Sequence, residues 1–258
     1  MANNFIVFIS DLHLGDLRIT EEQEDLLVNF LTEYVMPQAT RLVIAGDLFE
    51  ISQRSIQEIL LSSKKSISAL WRVAQAIPVD YVIGNHDLFV KGFIEEFSSY
   101  QNITFHHPSC IFEVEGYKIH VEHGHQYQPE YIANPELYNA LAEFGGFLDR
   151  ISPEIEDIIG NFRSTLESVK DSIIPTSWKE GPEYEKDVDA YCQAAMELMD
   201  AGANYVVFGH THRLNSMKFG GNQYVNCGDW KVNSTFATFQ DGEMKVFKWE
   251  REPIPILD

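Results

Sequence analysis

The chain has 258 residues, 45% of them hydrophobic and 12% aromatic, enough apolar side chain for one large folded domain, which excludes wholesale disorder. Its 19 Lys and Arg stand against 39 Asp and Glu, a formal net charge of −20 at pH 7. Such a field repels phosphate backbones at long range and argues against broad DNA or RNA binding unless bound cations reverse it locally.

The first four residues carry no positive charge, and the apolar run Phe5–Ile9 is too short for a signal-peptide core or a membrane span. From there one unit recurs: a short apolar strand, a sharp polar turn, then an amphipathic helix. Phe5–Ile9 leads into Asp11-Leu12-His13-Leu14-Gly15. A helix follows, opened by Thr20 and Gln23 as a capping box, with Leu26, Leu27, Phe30, Leu31 and Tyr34 on one face and a stop before Pro37. Arg41–Ala45 runs into Gly46-Asp47-Leu48-Phe49-Glu50, and one helix is expected over about 55–76. Val79–Ile83 runs into Gly84-Asn85-His86-Asp87, followed by a shorter helix carrying Phe93, Ile94 and Phe97. This alternation predicts right-handed βαβ units and an at least partly parallel sheet, whose ligands bind at the carboxyl ends of the strands.

After residue 103 the pattern turns to strands at Ile103–Phe105, Ile111–Val114 and Tyr117–Val121, the last running into Glu122-His123-Gly124-His125. Residues 130–200 read as helical, with two apolar stripes and a last helix over about 185–200. The strand Tyr205–Phe208 ends in Gly209-His210-Thr211-His212, and an Asp241-Gly242 hairpin joins Thr235–Gln240 to Met244–Trp249. No repeat or long linker divides the chain, which reads as a single domain, 1–258, with an insertion. Cys110, Cys192 and Cys227 are far apart and odd in number, as expected of free buried thiols in a reducing compartment. The expectation is a cytoplasmic protein, with peripheral contact to a membrane left open.

The strand ends collect Asp11 and His13, Asp47, Asn85 and His86, His123, and His210 and His212. These donors are carboxylate, imidazole and carboxamide without thiolate, a set that suits Mn2+, Fe2+ or Zn2+ rather than a structural zinc finger. Asp-x-His and His-x-His place two donors on one side of an extended segment. A lone Asp-x-His often only caps a helix, and Gly-Asp or Gly-Asn-His serves as a turn. All of them together at the ends of apolar strands point to a metal site.

This ordered set, Asp11-x-His13, Gly46-Asp47, Gly84-Asn85-His86-Asp87, His123-Gly124 and Gly209-His210-x-His212, resembles the calcineurin-like metallophosphoesterase family. The resemblance implies an α/β fold, a four-layer α/β/β/α sandwich of two mixed sheets with a dimetal centre at one edge. It implies that Asp11, His13, Asp47 and His212 hold one ion and that Asp47 bridges to a second, completed by Asn85, His123 and His210. Two divalent ions, Mn2+ first with Fe2+ and Zn2+ as alternatives, can share a hydroxide that attacks phosphorus in line with the leaving oxygen. His86, outside the ligand set, is expected to stabilise the transition state and protonate the leaving group. Asp87 either orients that imidazole or caps the following segment, and His125 either faces the substrate, bonds a ligand, or is a loop residue.

The long stretch between His123 and His210 leaves room for a helical cap at about 128–190, either a substrate lid or a hairpin packed on the body. The cap, the Gly46–Glu50 run and Gly228-Asp229-Trp230 are similar to the UDP-2,3-diacylglucosamine pyrophosphatases. Two departures mark the chain off: that subfamily usually has Arg where His86 stands, and its cap carries basic residues for the diphosphate, whereas residues 127–190 here hold five Lys and Arg against fourteen Asp and Glu. The expected substrate is a small phosphate ester or pyrophosphate, with a UDP-diacylglucosamine-like lipid-linked nucleotide first. The alternatives are a phosphodiesterase or phosphatase on a small nucleotide, a nuclease, disfavoured by the absence of a basic stripe, and a non-catalytic binding module on the same fold.

Overall fold

The computed structural model describes residues 4–51, 53–90, 99–128 and 183–257. The helix expected to carry Phe93, Ile94 and Phe97 and nearly all of the expected cap lie outside these residues.

Strands β1 (Ile6–Ile9), β2 (Arg41–Ala45) and β3 (Val79–Val82) are short and almost wholly buried, as strands covered on both faces must be. They pair in parallel, and β3 pairs in parallel with β5 (Ile103–His106), so their carboxyl ends line one edge. β4 (Ser99–Tyr100), β11 (Thr235–Gln240), β12 (Glu243–Trp249) and β13 (Pro253–Leu257) join antiparallel, giving the order β13-β12-β11-β1-β2-β3-β5-β4. The second sheet runs β6 (Ser109–Val114), β7 (Tyr117–Glu122), β8 (Tyr205–Phe208), β10 (Asn222–Cys227), β9 (Leu214–Phe219), with β7, β8 and β10 parallel and the outer pairs antiparallel.

Period-two alternation assigns the layers. Ile6 and Phe8 of β1 pack between the sheets with Val207, Val225 and Cys227, while Val7 and Ile9 face the helices with Phe30, Leu31 and Val73. On the far side, Val206, Phe208 and Tyr224 pack against Tyr191, Ala194 and Ala195 of the helix Glu183–Asp200. The result is an α/β/β/α sandwich of two mixed sheets. All three cysteines are free and buried. Phe30 anchors the first helical layer, its ring 4.5 Å from Trp230, 4.8 Å from Phe236 and 5.2 Å from Trp249, pairs that each add about 0.5–1.5 kcal/mol beyond area burial.

The helical layer departs from the sequence pattern twice. α1 (Glu21–Asn29) opens on the expected Thr20–Gln23 capping box, but the helical backbone does not stop before Pro37. It passes through a π-helical stretch, Phe30–Val35, in which Met36 N–H reaches back to the Leu31 carbonyl, and into α2 (Met36–Gln38). Pro37 thus stands in the first turn of a new segment, where its missing N–H is not needed. The helix expected over 55–76 is two, α3 (Ile56–Ser62) and α4 (Lys64–Ala76), divided at Ser63 with φ −109° and ψ 26°. Ser63 makes no side-chain cap, and the start of α4 is held from outside, with Glu24 of α1 accepting from Ser66 N at 3.2 Å. The helix Glu183–Asp200, here α5, matches the one expected over 185–200.

Candidate metal centre

The parallel strand ends place the polar turns side by side. Beyond β1 and β2 the chain stays zipped: Asp11 N–H donates to Gly46 O at 3.1 Å, His13 N–H to Asp47 O at 3.0 Å, and Leu14 N–H to Leu48 O at 2.8 Å. Gly209 N–H donates to His123 O at 3.0 Å, which ties the turns after β7 and β8, and Trp230 N–H donates to Asp11 O at 3.3 Å. Five of the seven candidate ligands, Asp11, His13, Asp47, His210 and His212, have φ between +45° and +68°. That left-handed backbone costs roughly 1–2 kcal/mol per non-glycine residue and clusters where function requires it.

Two of the donor triads among the described residues, Asp11–His13–His212 and Asp47–His123–His210, are built from candidate ligands alone, each with its donor atoms within 4.8 Å of one another. Asp47 lies between them, with Oδ2 3.1 Å from His123 Nε2 and 3.7 Å from His13 Nε2. Asn85 Oδ1 is 3.1 Å from His123 Nε2, so the carboxamide belongs to the second group. Ring tautomers follow from the outer partners. His123 Nδ1 donates to Ala45 O at 2.8 Å and His13 Nδ1 donates to Glu50 Oε2 at 2.9 Å, which leaves both Nε2 atoms facing the site. No side chain larger than hydrogen is tolerated at Gly46 or Gly84, because a Cβ would run into the His123 ring or the Asp47 carboxylate.

The donor set fits metal ions. Asp11 Oδ1 is buried without a hydrogen-bond partner, and the Nε2 atoms of His13 and His212 face it at 3.7 and 3.5 Å while lying 3.3 Å from each other. A cation among these three atoms satisfies all of them, and the buried carboxylates of Asp11, Asp47 and Glu50 demand positive charge. Burial pulls the His13 imidazole down, but Asp11 and Glu50 outweigh it and push it up to about 11; His123, likewise desolvated but facing Asp47, is raised to about 9. Burial also dominates at His210 and His125, with His123 reinforcing it, and both fall to about 3, so they stay neutral. His210 Nε2 meets Gln128 Oε1 at 2.9 Å.

His86 stands beside these groups with about a third of its side chain open, 32%, and its ring edge-on to His13 at 4.9 Å. Its backbone N–H donates to Asp47 Oδ1 at 2.9 Å, and its Nδ1 meets Glu50 Oε1 at 2.9 Å. Asp87, expected to orient His86 or cap a helix, instead accepts the backbone N–H groups of Leu48 and Phe49 at 2.9 and 2.8 Å and so fastens the Asp47 turn. Burial and the neighbouring Asp47 raise its carboxyl to about 6. His125 is buried in the wall of the site, its ring 5.7 Å from that of His123.

Sequence reading missed Glu50. One buried carboxylate holds both His13 and His86 through their Nδ1 atoms. The available signal was a Glu three residues after Asp47 in a strand-end turn. Asp16, in the turn after His13, is buried and paired with Arg18 and Lys231.

A family model for calcineurin-like phosphoesterases matches residues 6–214. The UDP-2,3-diacylglucosamine hydrolase of Neisseria meningitidis serogroup B is 24% identical over 242 residues, 93% of this chain and 95% of that protein. The protein of the same name from a serogroup C strain is similar at the same identity and coverage. Among solved structures, Yfce, a phosphoesterase from E. coli, shares the fold at a TM-score of 0.51 and 14% identity, over 97% of this chain and 96% of that one. Because the matched span runs through every strand-end turn from Asp11 to His212, the chain belongs to the calcineurin-like phosphoesterase family.

Proposed function

We propose that the protein is a dimetal-dependent phosphoesterase that hydrolyses a phosphodiester or pyrophosphate bond. The observation that carries the reading is the pair of donor triads meeting at Asp47, with His86 fixed beside them. Asp11, His13, Asp47 and His212 would hold one divalent ion; Asp47, Asn85, His123 and His210 would hold the other. The N and O donors suit Mn2+ first and Fe2+ or Zn2+ next. When bound, two such ions lower the pKa of water and neutralise charge on the phosphoryl oxygens.

The chain's own residues supply the rest. Glu50 accepts a hydrogen bond from His86 Nδ1–H, which leaves Nε2 as the nitrogen that can serve the substrate. Burial disfavours charge on His86, but Asp47 and Glu50 outweigh it and raise its pKa, which favours the protonated ring. His86 Nε2–H then stabilises negative charge on the phosphoryl group and gives its proton to the departing oxygen, a role typically worth about 10²–10⁴ in rate. Asp87 keeps the Asp47 turn in register, and His125 walls the second triad.

For the substrate, the Neisseria relatives favour a UDP-diacylglucosamine-like lipid-linked nucleotide. The test is a Mn2+-supplemented comparison of UDP-diacylglucosamine, cyclic nucleotides, dinucleotide polyphosphates and an aryl phosphodiester. Turnover of the aryl diester with a preference for UDP-diacylglucosamine is expected. Protein inert toward all of them overturns the enzyme reading, and preference for a free nucleotide moves the substrate to that class.

A further inference from the structure

The metal centre accounts for one phosphate. In a chain of net charge −20 with only 19 Lys and Arg, a cation fixed beside that centre calls for a reason. Arg18 is such a cation. Asp16, fully buried at its side chain, receives Arg18 Nε at 3.1 Å and Nη2 at 2.9 Å in a two-toothed grip, and Arg18 N–H at 2.8 Å. Its Oδ2 also receives Lys231 Nζ, so the carboxylate is saturated. The loop beneath is fastened too: Asp16 N–H donates to His13 O, Ile19 N–H to Asp16 O, and Leu17 N–H to Gln53 Oε1.

The guanidinium is therefore held in one orientation while 70% of the side chain stays exposed. Among the described residues, Asp16 is its hydrogen-bonding partner, so Nη1 and the outer N–H of Nη2 face outward with donors to spare. Three connections place it at the mouth of the site. Asp16 hangs from the backbone of His13. The Lys231 loop that meets Asp16 also reaches the His212 carbonyl through Asn233 Nδ2. Glu50, which holds His86, donates its backbone N–H to Leu14 O at 3.0 Å, two residues before Asp16. A surface ion pair made only for stability needs neither a buried acceptor nor an outward-facing fork, since exposed pairs contribute little. Fork geometry on a fixed stem is what binds phosphate with little loss of side-chain entropy.

We propose that Arg18, braced by Asp16, binds a second anionic group of the substrate, adjacent to the phosphate at the metal centre, so that doubly anionic phosphoesters such as pyrophosphate diesters are preferred over simple phosphodiesters. The inference rests on the phosphoesterase reading and names a determinant of its substrate class. Binding tests it without turnover: titration calorimetry of the Mn2+-supplemented protein with P1,P2-dimethyl methylenediphosphonate, which carries two anionic groups, and with dimethyl phosphate, which carries one. Wild type is expected to bind the first at least tenfold more tightly. Arg18→Ala is expected to lose about tenfold for the first and under twofold for the second, and Arg18→Lys, which keeps charge but not the fork, to fall between. A wild type that binds both equally or neither, or an Arg18→Ala that weakens both by the same factor or leaves both unchanged, overturns the proposal. If the preference is present but wild type hydrolyses no phosphoester, the proposed function fails and the anion anchor stands.

Discussion

Glu50→Gln separates a carboxylate that only fills space from one that organises the site. Glu50 is buried and gives one oxygen to each ring, Oε2 to His13 Nδ1 and Oε1 to His86 Nδ1, both at 2.9 Å. Gln has nearly the same shape but one oxygen and one NH2. In either orientation the NH2 meets a ring N–H, donor against donor, and that ring must change tautomer or turn away. At His13 the change puts a proton on the nitrogen that faces the metal site; loss of such an outer partner costs about 10–100-fold in metal affinity. At His86 it removes a charge-assisted bond worth about 1.5–3 kcal/mol, a roughly 10–150-fold fall in kcat. The assay is hydrolysis of bis(p-nitrophenyl) phosphate against Mn2+ concentration for wild type, Glu50→Gln, His86→Ala and the double variant. Glu50→Gln should lower kcat or raise the Mn2+ requirement at least tenfold, and its effect on kcat should shrink in the His86→Ala background. Glu50→Gln with kcat and Mn2+ requirement both within twofold of wild type refutes the reasoning.

Gly84→Ala should cut metal content below half and lower kcat at least 100-fold with the far-UV circular dichroism unchanged, since the added methyl meets the Asp47 carboxylate and lies 2.5 Å from Asp47 N; full metal occupancy in this variant would show that the Asp47 turn yields. Asp16 supplies a pH signature in the metal-free protein. Burial would raise its carboxyl, but Arg18 and Lys231 outweigh that and hold it well below the usual carboxylate range. A depressed folded pKa contributes stability above the unfolded value near 4, and that contribution fades as pH falls below it. Asp16→Asn should therefore lower the Tm at pH 7 by roughly 2–8 °C, for a loss of about 1–2 kcal/mol, and by less at pH 3. An equal loss at both pH values would contradict the ion-pair account.

Much of the site could be read from the sequence because its donors sit in turns that end apolar strands, where a local pattern fixes a global position. Asp11, Asp47, Asn85 and His210 are such residues, and parallel pairing of β1, β2 and β3 gathers the first three. Glu50 escaped because its meaning is relational: nothing local to Gly46–Glu50 tells that His13 and His86 share its carboxylate. Asp87 has two local readings, a partner for the neighbouring His86 or a cap for the following segment, but its geometry serves the amides of Leu48 and Phe49, distant in sequence. The division at Ser63 was hidden because the apolar stripe continues across it, and the cap that starts α4 comes from Glu24 on another helix. Strand β13 carries Pro253 and Pro255, residues that argue against a central strand and are tolerated here because β13 is an edge.

The central claim is that Asp47 joins two metal sites while His86 acts beside them. Metal analysis by mass spectrometry on protein loaded with Mn2+ and freed of excess tests it most directly. Two ions per chain are expected in wild type and in His86→Ala, with both lost in Asp47→Asn. One ion or none in wild type, two retained in Asp47→Asn, or an emptied site in His86→Ala would contradict the account.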